Sequence, residues 1–135
     1  MNVQFIVGSI VLAAVCGFGF AADAPDGEWT VDVTPSANNK LKGTNVAYPD
    51  VLTIKKGKLS SQSAVKQGFA PGACEVTTDN GKIKISADLV SPKHGKNHYE
   101  FEVEKGALSG SMVWSKAGED GKPKEAEFTL KSKAK

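Results

Sequence analysis

From Trp29 onward the chain alternates apolar and polar residues in short runs, and this period of two predicts strand after strand. In Trp29-Thr30-Val31-Asp32-Val33 every second residue is apolar. Asp50 to Lys55 places Leu52 and Ile54 on one face, and Lys56-Gly57 turns the chain into Lys58-Leu59-Ser60. A fourth strand is expected near Ala73 to Thr78, with Cys74 and Val76 inward. Asp79-Asn80-Gly81 signals a hairpin, because Asn and Gly tolerate positive φ. Lys82 to Leu89 then gathers Ile83, Ile85, Ala87 and Leu89 on one side. His98 to Glu104 points Tyr99, Phe101 and Val103 inward and His98, Glu100, Glu102 and Glu104 outward. Lys105-Gly106 leads into Ala107 to Ser115, where Leu108, Gly110, Met112 and Trp114 share a face. The last strand, Lys124 to Lys131, puts Ala126, Phe128 and Leu130 inside.

These are about eight strands, nearly all joined by short links, and no segment carries a helical period of useful length. Short links between sequential strands favour antiparallel up-and-down pairing. The predicted fold is therefore all-β: an eight-stranded up-and-down antiparallel barrel, with a two-sheet sandwich as the alternative. Closing the sheet buries its apolar face and removes its edges. Pairing of Glu28 to Val33 with Lys124 to Lys131 would make that closure. Two longer connections, Thr34 to Pro49 and Ser61 to Gly72, leave the barrel at the same end and carry Tyr48 and Phe69. Those rings are read either as lid residues or as plugs of the barrel end.

Ahead of the strands, Phe5 to Phe20 is uncharged and apolar, and Gly19 and Ala21 supply the small residues that signal peptidase prefers. Residues 1–21 are read as a cleaved signal peptide and residues 22–135 as a single β-barrel domain, secreted or periplasmic. Bulky Val15 argues against lipidation at Cys16. Cys74 is then the one cysteine of the mature chain, expected as a small buried residue, and stability must come from core packing.

All 17 basic residues are lysine, scattered among 15 acids. Without arginine forks, a specific nucleic-acid or phosphate site is not expected. Lys55-Lys56-Gly57-Lys58 reads as a solvated turn, and no integral membrane span is expected after processing.

Gly27-Glu28-Trp29, at the start of the first strand of a small exported meander, resembles the calycin group of lipocalins, avidins and bacterial metalloprotease-inhibitor barrels. The resemblance implies that Trp29 closes one barrel end and packs against the last strand. The chain departs from each branch: it lacks a C-terminal helix, the polar residues that hold biotin, and a second mature cysteine.

Catalytic chemistry has no constellation behind it. Ser109 and Ser111 lie in an alternating strand rather than a nucleophile elbow. Glu100, Glu102 and Glu104 line a solvent face, and His94, His98 and Glu100 fall short of the ligands a metal needs. The reading is a non-enzymatic barrel without cofactor or metal. It would hold a small apolar molecule against Trp29, Tyr99, Phe101, Met112, Trp114 and Phe128, with space left by Gly110 and Ala87. The alternative is a protein-interaction or protease-inhibitor-like module that engages a protein partner with its N-terminal tail (Ala22 to Asp26) and its long loops.

Overall fold

The computed structural model describes residues 24–39, 45–118 and 121–133; the leader read at 1–21, with Cys16, lies outside them. The alternating segments form nine antiparallel strands. These are β1 (Gly27–Pro35), β2 (Tyr48–Lys55), β3 (Lys58–Ser61), β4 (Gly72–Ala73), β5 (Glu75–Asp79), β6 (Lys82–Ser91), β7 (Gly95–Glu104), β8 (Ala107–Ala117) and β9 (Pro123–Ser132). They lie in one sheet in the order β4-β3-β2-β1-β9-β8-β7-β6-β5. Neighbours in that order are consecutive in the chain except β1 and β9, whose pairing sets Val31 opposite Ser132 and Val33 opposite Leu130. First strand thus meets last, as expected, and the sheet curls into a nearly closed up-and-down barrel.

The seam lies where the chain before β5 passes β6. The Ala70 N–H donates to the Val90 carbonyl at 3.1 Å. Gly72 rests so close to β6 that a Cβ there would lie 2.0 Å from the Asp88 carbonyl oxygen. A side chain at Gly72 would push the two strands apart and open the barrel.

The expected fourth strand is broken at Cys74. Before the break, Gly72 and Ala73 pair with Leu59 and Lys58 of β3. After it, Glu75 to Asp79 pair with Ser86 to Lys82 of β6. One continuous run changes partner, which is why eight expected strands become nine. Cys74 is half-buried, and its N–H bonds the Gly57 carbonyl at 2.8 Å.

Three turns, Lys56-Gly57, Asn80-Gly81 and Lys105-Gly106, have positive φ at both residues. That is the type I′ geometry, whose twist matches that of the flanking strands. All three sit at one end of the barrel, the turn end. The opposite, loop end carries residues 36–39 and 45–47, the segment 62–71, the turn 92–94 and residues 118, 121 and 122.

Segment 62–71 also holds a helix that the sequence pattern did not predict, α1 (Gln62–Lys66). Five residues are too few to display a helical period. What starts it is Ser61, whose Oγ accepts the Ala64 N–H at 3.1 Å as an N-cap. Among the described residues no helix is long and apolar enough to cross a membrane.

The core fills the barrel from Ile54 and Leu59 near the turn end to Leu89 and Phe69 near the loop end, all almost completely buried. Trp29 stands over the turn end, half-buried, opposite Leu52 of β2 and packed on the core. The outward row Glu100, Glu102 and Glu104 faces solvent as expected.

Candidate functional site

Tyr99, Met112 and Phe128 occupy one interior row, as cross-strand neighbours on β7, β8 and β9. Phe101 sits in the next row, opposite Gly110. These four side chains are between 2% and 8% exposed and belong to the core cluster. The two tryptophans lie apart from them. Trp114 is half-buried near the loop end, where its Nε1–H donates to the His94 carbonyl at 2.7 Å, and Trp29 lies near the turn end. The six residues therefore form a central block and two separate ends.

The space expected beside Gly110 is taken by backbone. A Cβ at Gly110 would lie 2.2 Å from the Glu100 carbonyl oxygen and 2.4 Å from the Phe101 Cα. Glycine at this position allows β7 and β8 to bend tightly together; it does not enlarge the interior.

Tyr48 and Phe69 both pack as barrel filling. Tyr48 is the first residue of β2 and meets Phe128 edge-on, with ring centroids 6.4 Å apart. Phe69 is 2% exposed and stacks on His94 at 6.5 Å.

Sequence reasoning missed Asp50. It shares the inward face of Leu52 and Ile54, and its carboxylate is 5% exposed. Ser61 Oγ donates to it at 2.5 Å, the Ser63 N–H at 2.9 Å and the Val51 N–H at 2.8 Å. From the opposite wall, the Tyr99 hydroxyl comes within hydrogen-bonding reach of Ser61, with Asn97 beside it on the same strand. Burial above all, with the Asp50 charge adding to it, holds Tyr99 well above the usual tyrosine range. Tyr48 is pushed up in the same way, by burial first and then by Asp50, against a hydrogen bond to Ser63. Phenols raised like this stay protonated. The carboxylate has its acceptor capacity met by a hydroxyl and two backbone N–H groups. Chemically the cluster is a polar strap that ties α1 to the barrel wall. Its one sequence signal was parity: an acid two residues before Leu52 on an inward face.

A second cluster lies outside the barrel. His98 Nδ1 is 2.5 Å from Asp88 Oδ1 on β6, and Nε2 is 2.7 Å from Glu100 Oε2 on its own strand. A neutral imidazole has only one N–H. Two carboxylate partners therefore select the imidazolium, and the hydrogen bonds to Asp88 and then Glu100 raise the His98 pKa. His94 does not join it, being at the loop end against Phe69. Among the described residues no group of three or more His, Cys, Asp or Glu is placed to hold a metal ion. Cys74 lies on neither cluster, and burial pushes its thiol up, away from the reactive thiolate.

The loop end differs from the rest of the surface. The exposed large hydrophobic residues among those described are Val46, Val65 and Val90, and all three are there. Lysines surround them: Lys66 ends α1, Lys93 is in the turn 92–94, and Lys96 pairs with Val90 across β6 and β7. On the rim, Lys116 of β8 stands directly opposite Lys124 of β9. No protein-family profile, curated protein or solved structure matches the chain.

Proposed function

We propose that this is a non-enzymatic, exported β-barrel that works as a binding module through its loop end. The observation that carries the reading is the gathering of exposed Val46, Val65 and Val90 at that end, away from the polar type I′ turns. Contiguous apolar surface marks contact sites, and these three valines are the exposed large hydrophobic residues among those described that could supply it. The barrel beneath supplies a rigid support, since Tyr99, Met112 and Phe128 pack into one core block and Asp50 fastens α1 to it. Export rests on the apolar leader at 1–21, and sequencing of the exported form from Ala22 tests it.

Hydrogen exchange on residues 22–135, with and without an envelope fraction of the producing cell, tests the binding reading. Protection should appear at 62–70 and 90–96 and leave the turns at 56–57, 80–81 and 105–106 unchanged. Protection confined to the turn end would overturn it.

A second reading keeps the calycin-like role, a small apolar molecule held inside. It is favoured by the interior row Tyr99, Met112 and Phe128 with hydroxyl groups beside it. Native mass spectrometry of protein purified from its own envelope separates the two: a retained mass supports the interior ligand, and a bare chain supports the loop end.

A further inference from the structure

We propose that the partner of the loop end is the surface of an anionic phospholipid bilayer, an inference that rests on the binding-module reading above. Val90, Lys96, Ser115, Lys116, Ala117 and Pro123 line one shallow groove on this end. Val90, Ala117 and Pro123 share its lining with Lys96 and Lys116. Val65, on α1, lies close by: the Gly68 N–H bonds its carbonyl at 3.0 Å, and Ala70, two residues on, bonds Val90.

The lysine register points to the charge of the partner. Lys116 and Lys124 are directly opposed across β8 and β9, and like charges in that position repel. The outermost outward row runs Val90, Lys96, Ser115 and Glu125, so a single carboxylate accompanies it. Lys66 and Lys93 add positive charge around the same end. Glu119 and Asp120 lie outside the described residues.

A bilayer satisfies both halves of this pattern. Its headgroup phosphates neutralise lysines, and its acyl boundary accepts short apolar side chains between them. Lysine suits the task, as a flexible point charge on an apolar stem that needs no fixed phosphate geometry. The turn end, equally rich in lysine at Lys55, Lys56 and Lys58, has no such valine among the described residues and provides an internal control.

The test is vesicle flotation of residues 22–135, which contain every described strand and omit the apolar leader. Vesicles of phosphatidylcholine alone are compared with vesicles that also contain phosphatidylglycerol. The chain should float with the anionic vesicles only, and salt should release it. Lys116→Gln with Lys124→Gln should lower the partition coefficient about thirtyfold, roughly fivefold per lysine. Val65→Ser with Val90→Ser should also weaken it, whereas Lys55→Gln with Lys56→Gln, an equal change of net charge, should leave it within about twofold. All these positions are exposed, and circular dichroism checks that each variant folds. Equal flotation with neutral vesicles, an equal loss from the turn-end pair, or no flotation at all would overturn the inference. If the chain fails to float but the envelope fraction still protects 62–70 and 90–96, the lipid is wrong and the loop-end reading stands, with an acidic protein as partner. If neither occurs, both fall.

Discussion

Ser61 gives its hydroxyl proton to the buried carboxylate of Asp50 at 2.5 Å while the same oxygen caps α1 by accepting the Ala64 N–H. Strand β2 and the only helix among the described residues are thus joined through one side-chain oxygen. Removing the acid leaves the buried Ser61 hydroxyl and the half-buried Ser63 N–H without their carboxylate acceptor. Asp50→Ala should therefore cost about 3 kcal/mol of stability in urea unfolding. Hydrogen exchange should show 62–66 losing protection first, ahead of β7 and β8. Uniform loss across the barrel would mean that Asp50 holds the core rather than the helix.

Gly110→Ala places a methyl group where β7 backbone already stands, within 2.2–2.5 Å of Glu100 and Phe101 atoms. Backbone cannot rotate away as a side-chain tip can, so the expected loss is about 3 kcal/mol or more. Ser109→Ala, one residue earlier on the solvent face, should change stability by less than about 0.5 kcal/mol. Thermal melts of the two variants side by side check the contrast.

The His98 clamp gives stability a definite pH dependence. Its folded pKa lies above the 6.5 of a free imidazole because Asp88 and Glu100 bond the protonated ring. A group whose pKa is raised on folding contributes fully below its unfolded pKa and loses that contribution as pH rises through the folded one. Wild type should therefore lose stability relative to His98→Gln as pH climbs from below 6.5 through the folded value. The ring is more than a third exposed, so the effect should be small and should shrink in salt. NMR titration of the imidazole locates the folded value, and one at or below 6.5 would contradict the two-carboxylate clamp.

Trp29 is half-buried at the turn end, not enclosed. Trp29→Ala should cost about 2 kcal/mol, less than the 3–5 typical of a fully buried tryptophan. Its fluorescence should sit between the buried and solvated extremes and should be reached by a small polar quencher. A cost near zero would remove it as a plug of the turn end.

Much of this barrel was legible from period alone. Alternation in His98 to Glu104 put Tyr99, Phe101 and Val103 in and the glutamates out, because a pleated strand leaves a side chain no other choice. Lys56-Gly57, Asn80-Gly81 and Lys105-Gly106 marked hairpins because their backbone conformation is a local property. Of the polar cluster, only the parity of Asp50 could be read. Its partner Ser61, 11 positions away, meets it through the register of the β2–β3 hairpin, and Tyr99, 49 positions away, only through curling of the sheet.

The sequence by itself determined which face of each strand turns inward and where the short turns fall, since both depend on residues at most a few positions apart. Tertiary structure decided everything that depends on how strands lie beside and across from one another. It split the fourth strand at Cys74 by changing its partner, and it filled the open face of Gly110 with the backbone of β7. It brought Asp88 against His98 and set Lys116 opposite Lys124. Register and curvature are set by the whole closed sheet, so no local pattern carries them, and the charged, valine-bearing loop end comes into being only when the strands are aligned.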